Sequence, residues 1–145
     1  MTIPEFNEYG VLAGGLHLAT MKEIRQRLGF SPMRNDLIEK GLKPVVQELS
    51  GMGIKFLYLS GSFVTKKISP KDIDGYIPVR MDSEVFDKIA QRQEEWLTFY
   101  RMDLYPAVVD IKGYGSEVYW QEWFGKTLED SPRAKGIIQL LLKER

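Results

Sequence analysis

The stretch from Leu57 to Tyr76, reading LYLSGSFVTKKISPKDIDGY, restricts what this chain can fold into more than any other segment. Ile54 to Ser60 is β-rich and mostly apolar, the pattern of a buried strand. It runs into Gly61-Ser62, and a loop or short helical turn follows. Asp72 to Val79 then alternates, with Ile73 and Ile77 on one face and Asp72 and Asp74 on the other. Side chains two apart on a strand point to the same side, about 7 Å apart along the backbone. Two carboxylates held that way repel unless a divalent cation lies between them, and Mg2+ accepts such oxygens while keeping positions open for phosphate oxygens. Gly61 permits close approach of phosphates to backbone amides, and Ser62 adds a hydroxyl donor. A helical turn from Phe63 to Lys67 would aim its positive end at them. Each half alone is ordinary, since Gly-Ser is common in turns and Asp-Ile-Asp can be a solvated strand face. In strand–loop–strand order they point to a phosphate and metal site.

The rest of the chain supplies elements to pack around that segment. Residues to about Gly15 mix Pro, Asn, Gly and aromatics and read as an irregular extended arm. Thr20-Met21-Lys22-Glu23 has the form of a capping box, with Ile24 and Leu28 on one face behind it and Gly29 as a stop. Ser31-Pro32 marks a break. From Asn35, the residues Leu37, Ile38, Leu42, Val45, Val46 and Leu49 recur at helical spacing and predict a long helix closing at Gly51-Met52-Gly53. Asp82-Ser83 can cap a helix carrying Val85, Phe86, Ile89 and Trp96; Leu97 to Tyr100 fits either its tail or a strand. Ala107 to Ile111 reads as a short strand, Ser116 to Phe124 as a helix, and Ser131-Pro132 as the start of a last helix. Its apolar residues Ile137, Ile138, Leu140, Leu141 and Leu142 suggest docking on the body or on a partner. Strands interleaved with helices, without repeat or linker, predict an α+β fold: a single domain over residues 1–145, with a mixed β-sheet, helices packed against it, and residues 1–33 as an N-terminal extension.

Composition narrows the chemistry. With 145 residues and 43% apolar content, a true core is expected. Basic and acidic residues balance at 20 each, which disfavours a nucleic-acid-binding surface. The absence of cysteine removes disulfides, thiolate metal sites and cysteine nucleophiles, and the single histidine, His17, removes a histidine cluster. No apolar run approaches the roughly 18 residues that a membrane span needs, and the N-terminus has no signal-peptide pattern, so a cytoplasmic protein is expected. Tyr114, Tyr119, Trp120, Trp123 and Phe124 fit core or interface packing better than base stacking.

The Gly61-Ser62, nine-residue spacer and Asp72-x-Asp74 arrangement resembles the signature of the DNA polymerase β-like nucleotidyltransferase superfamily. More closely, Gly61 to Thr65, Pro70 to Asp74, the segment Phe6 to Leu12 and the helix start at Thr20 to Glu23 are similar to a group of small bacterial proteins related to the minimal nucleotidyltransferases, the DUF6932 group. That resemblance implies a nucleotidyltransferase fold, an Mg2+ (or Mn2+) cofactor and an NTP, ATP foremost, as substrate. Asp72 and Asp74 would hold metal, while Gly61, Ser62, Thr65 and Lys66 would hold the nucleotide. A third carboxylate is expected from a later strand. Asp110, flanked by Val108, Val109 and Ile111, fits that context better than Asp103, which sits near Arg101 in a polar stretch that solvent can satisfy. The acceptor would be a hydroxyl, with a partner protein in a toxin–antitoxin-like pair as one option. Gly75 stands where superfamily members usually place an apolar residue, which would leave the strand less well anchored. With the apolar C-terminal segment, it motivates an alternative: a non-catalytic interaction module on the same fold.

Overall fold

In the computed structural model, which describes residues 3–80, 83–109 and 136–142, the N-terminal arm leads into a short strand, β1 (Leu16–Ala19). Thr20 then caps α1 (Met21–Leu28): its hydroxyl accepts the Glu23 N–H at 3.3 Å while Glu23 returns to the Thr20 N–H at 3.2 Å. Both halves of the expected capping box are present, and Ile24 and Leu28 form the buried stripe. Ser31 caps α2 (Pro32–Asp36), with Pro32 in the first turn, where its missing N–H costs nothing. The Ser31-Pro32 break thus opens a helix. Without leaving helical geometry, the chain continues through a π-helical stretch, Leu37–Leu42, into α3 (Lys43–Gly51). Pro44 gives the reason for the widened turn. It has no N–H to donate, and its ring would crowd the carbonyl four residues back.

Next come β2 (Phe56–Ser60), a 3-10 turn (Gly61–Val64), β3 (Ile73–Arg80), α4 (Glu84–Tyr100), β4 (Met102–Val109) and β5 (Ile137–Leu141). Ser83 caps α4, and Leu97 to Tyr100 are its last turn. Among the described residues the strands make one five-stranded mixed sheet in the order β1-β5-β2-β3-β4. β5 is antiparallel to β2 and parallel to β1, β2 is antiparallel to β3, and β3 is parallel to β4. The fold is a single-domain α+β structure, as its alternating elements predict. Among the described residues no helix is long and apolar enough to cross a membrane.

One face of the sheet carries the main core. Leu57, Leu59, Ile73, Ile77, Met102, Leu104, Ile138 and Leu140 are buried there with Leu28, Leu37, Leu42, Leu49, Ile89 and Trp96 of the helices. The other face carries Tyr58 and Ile137, with Leu16, Phe56 and Tyr76 packed against them. Residues expected as an N-terminal extension take part in this body: Ile3 and Leu12 are buried in the main core, and β1 is a sheet strand.

Ile137 to Leu141 is a strand, not the expected helix. It lies between β1 and β2, with Ile138 and Leu140 facing the helices and Ile137 facing the opposite cluster. An apolar run without clear alternation satisfies a strand buried on both faces as well as it does a buried helix, and pairing partners decide. The expected helix Ser116 to Phe124, and the aromatics within it, lie outside the described residues.

Candidate metal and phosphate site

The site forms where β2 ends and where β3 and β4 begin. Arg101 takes the left-handed conformation (φ 54°) directly after α4, and β4 starts at the next residue. The Ile73 N–H donates to the Arg101 carbonyl at 3.0 Å, which fixes the register of the two parallel strands. Asp74 therefore stands directly beside Asp103. Met102 and Leu104 are buried while Asp103 between them is half-buried, so its carboxylate faces away from the helices.

Asp72 lies just ahead of β3 and not within it, yet its carboxylate joins the same group. One carboxylate oxygen from each of Asp72, Asp74 and Asp103 lies within 4.8 Å of the others. Burial, followed by the charges of Asp72 and Asp103, pushes the Asp74 carboxyl up to about 6. The neighbouring charges of Asp72 and Asp103 disfavour the ionised form of Asp74, and a hard divalent cation with oxygen preference relieves that. The donor set fits Mg2+ or Mn2+ by this chemistry.

Asp110, expected as the third carboxylate, lies outside the described residues. Among the described residues the acid that joins Asp72 and Asp74 is Asp103, which its sequence neighbours assign to solvent. The strand starts at Met102, well before the apolar run at Ala107. The alternation Met102-Asp103-Leu104-Tyr105, apolar at every second position before a tyrosine, is the signal that identifies it.

Gly61 belongs to the same site. Its φ is +73°, and a Cβ added there would sit 2.0 Å from Asp74 Oδ2. Glycine is thus required twice, for the backbone conformation and for the space that the carboxylate fills. The turn it opens is fixed by its own polar groups. The Thr65 hydroxyl donates to the Ser62 carbonyl at 2.7 Å and accepts the Lys67 N–H at 3.2 Å. Thr65 therefore shapes the loop through those bonds. Lys66 is exposed, and its N–H donates to the Gly10 carbonyl at 2.8 Å, while Val11 bridges Thr65.

Gly75 is well anchored, contrary to expectation. A Cβ there would meet Leu104 Cδ2 at 2.8 Å and the Tyr58 carbonyl at 2.9 Å. Leu104 from β4 and Leu57 from β2 fill the space that an apolar side chain at this position would take. On the acidic face, Tyr76 and Tyr105 lie side by side two residues beyond Asp74 and Asp103, with ring centroids 6.0 Å apart and planes at 30°.

Arg34, absent from any motif, is the other participant. It is fully buried behind the loop and donates to several loop carbonyls. Nothing in its local sequence, Pro-Met-Arg-Asn-Asp, marks it out.

A model of a family of unknown function, DUF6932, matches residues 4–141. No curated protein and no solved structure matches the chain.

Proposed function

This chain belongs to the DUF6932 family, and we propose that it is an Mg2+- or Mn2+-dependent nucleotidyltransferase moving a nucleoside monophosphate from an NTP, ATP foremost, to an acceptor hydroxyl. The observation that carries the reading is the convergence of Asp72, Asp74 and Asp103 beside Gly61-Ser62, where Asp74 occupies the place of a Gly61 side chain. A bound divalent cation would supply neutralisation of the triphosphate and of the departing pyrophosphate. Asp72 and Asp74 would hold it. Gly61 and Ser62, where β2 ends, would meet the phosphates, and Asp103, on β4 beside Asp74, would face the acceptor. The acceptor oxygen bonds to the α-phosphorus, the bond from that phosphorus to the bridging oxygen breaks, and the acceptor's proton passes to Asp103. Positioning and charge balance are what phosphoryl transfer asks of a protein, and a small sheet with three acids can provide them.

A protein acceptor and a cytoplasmic setting belong to the same proposal. Of the motives for a non-catalytic module, neither the C-terminal segment nor Gly75 retains its force, because one is an internal strand and the other is tightly packed. The test is incubation of the protein with α-labelled ATP, Mg2+ and cell lysate. Wild type should label a discrete acceptor in a metal-dependent way, and Asp74→Asn and Asp103→Asn should not. Equal labelling by all three proteins, or none by wild type across the four NTPs, overturns the reading.

A further inference from the structure

The loop from Ser62 to Ile68 links the glycine turn to Asp72, and its backbone is held from behind by one buried cation. Arg34 Nε donates to the Lys67 carbonyl at 2.8 Å. Its Nη1 donates to the carbonyls of Phe63 at 2.8 Å and Leu28 at 3.1 Å, and Nη2 to those of Thr65 and, at 3.4 Å, Ser62. The Phe30 and Phe63 rings flank the guanidinium, with its carbon 4.2 and 5.2 Å from their centroids. Ser31 adds a bond from its hydroxyl to the Ile68 carbonyl at 2.7 Å.

A buried arginine is expensive, and acids normally offset it. Here, among the described residues, every acceptor is a backbone carbonyl, so the cation satisfies the loop without a carboxylate to neutralise it. A guanidinium can do this because its five N–H donors are fixed in one plane, whereas an ammonium presents three from one point. In a trans peptide the N–H lies opposite the C=O. A carbonyl drawn toward Arg34 therefore turns the N–H of the same peptide the other way. The Lys66 N–H shows this outcome directly: the Thr65 carbonyl faces Arg34, and the Lys66 N–H of the same peptide faces Gly10.

We propose that Arg34 is a positioning residue for the nucleotide's phosphates: by holding the carbonyls of Ser62, Phe63, Thr65 and Lys67 inward, it withdraws their negative ends from the phosphate side of the loop. This rests on the proposed nucleotidyl transfer. Arg34 touches no ligand itself, and its positive charge beneath the loop favours a bound anion on the other side. The loop is preorganised as well, since the N-terminal arm at Gly10 and Val11 secures its outer edge.

The test uses the full chain and its Arg34→Lys variant, which keeps the charge and loses the fork. Mn2+ alone and Mn2+ with ATP are titrated into each, and amide exchange is followed without ligand. Arg34→Lys should bind Mn2+ alone like wild type, because the acids sit on β3, on β4 and just ahead of β3. It should lose roughly tenfold or more in Mn2+-ATP affinity, the order of effect that a displaced positioning group produces. Exchange at Thr65 and Lys66 should quicken while β2 and β3 stay protected. Wild-type Mn2+-ATP affinity in a folded Arg34→Lys overturns the proposal, even if exchange quickens, because Arg34 is then structural only. If wild type itself binds Mn2+ but not Mn2+-ATP, the nucleotide reading fails and this inference falls with it. Should Arg34→Lys not fold, Phe30→Ala removes the exposed ring that steadies the guanidinium, and the same selective loss is expected; unchanged Mn2+-ATP affinity there also overturns it.

Discussion

Replacing Asp74 by asparagine should stabilise the protein without metal and destroy its response to metal. The Asp74 carboxyl is raised from an ordinary value near 3.8 to about 6, first by burial and then by Asp72 and Asp103. A shift of that size corresponds to at most about 3 kcal/mol. Asp74 is only half-buried, and water screening of the neighbouring charges reduces the figure to roughly 1–2 kcal/mol. Because the folded-state value is raised, the native protein holds its proton more tightly than the unfolded chain. The contribution is fully present below about pH 4 and is lost as pH rises through about 6. Asparagine keeps the shape and never ionises. In chelator at pH 7.5, Asp74→Asn should therefore unfold in urea with a free energy roughly 1–2 kcal/mol above wild type, and the two should coincide near pH 4. For a chain of this length the gap corresponds to about 3–6 °C in Tm. Saturating Mn2+ should reverse the order, since a ligand at about a hundred times its Kd adds roughly 2.7 kcal/mol to wild type and nothing to the variant. A less stable Asp74→Asn in chelator at pH 7.5 would refute the reasoning and make Asp74 a structural hydrogen-bond acceptor. So would a stability gap that does not change with pH.

Gly61→Ala should cost about 1–2 kcal/mol for the left-handed backbone alone and displace Asp74 further, seen as a lower Tm and weaker Mn2+ binding in calorimetry. Gly75→Val, which adds a branched apolar side chain to β3, should destabilise by about 1–3 kcal/mol through overpacking against Leu104 and the Tyr58 carbonyl; a neutral result in urea denaturation would show that β4 gives way. Glu48 accepts Arg92 Nε at 2.7 Å and the buried Trp96 indole N–H at 3.0 Å, tying α3 to α4. Glu48→Leu leaves that indole without its partner and should cost about 1–3 kcal/mol, readable as a fall in the urea midpoint. The Arg92 hydrogen bond chiefly holds the Glu48 carboxyl below its usual range, so this contribution is present at neutral pH and is lost as pH falls through the folded value.

Local sequence determined those parts of the molecule whose physics is local. The Thr20–Glu23 box, the helical stripe from Leu37 to Leu49, and the order strand, Gly-Ser, spacer, Asp-x-Asp are set by spacing, capping and side-chain alternation within a few residues. Even there, Asp72 reaches the site from just ahead of the strand, a boundary that alternation does not resolve. Tertiary structure decided what depends on partners far along the chain. Ile137 to Leu141 is a strand because β1 and β2 offer it hydrogen bonds on both edges, which its own apolar run cannot announce. Among the described residues Asp103 joins Asp72 and Asp74 because the left-handed Arg101 lets β4 begin at once and places it beside Asp74, whatever its polar neighbours suggest. Arg34 is the extreme case: of the five carbonyls it reaches among the described residues, four lie 28 to 33 residues away. No pattern around Arg34 could disclose them, because a buried cation is selected by the carbonyls that surround it and not by its neighbours in sequence.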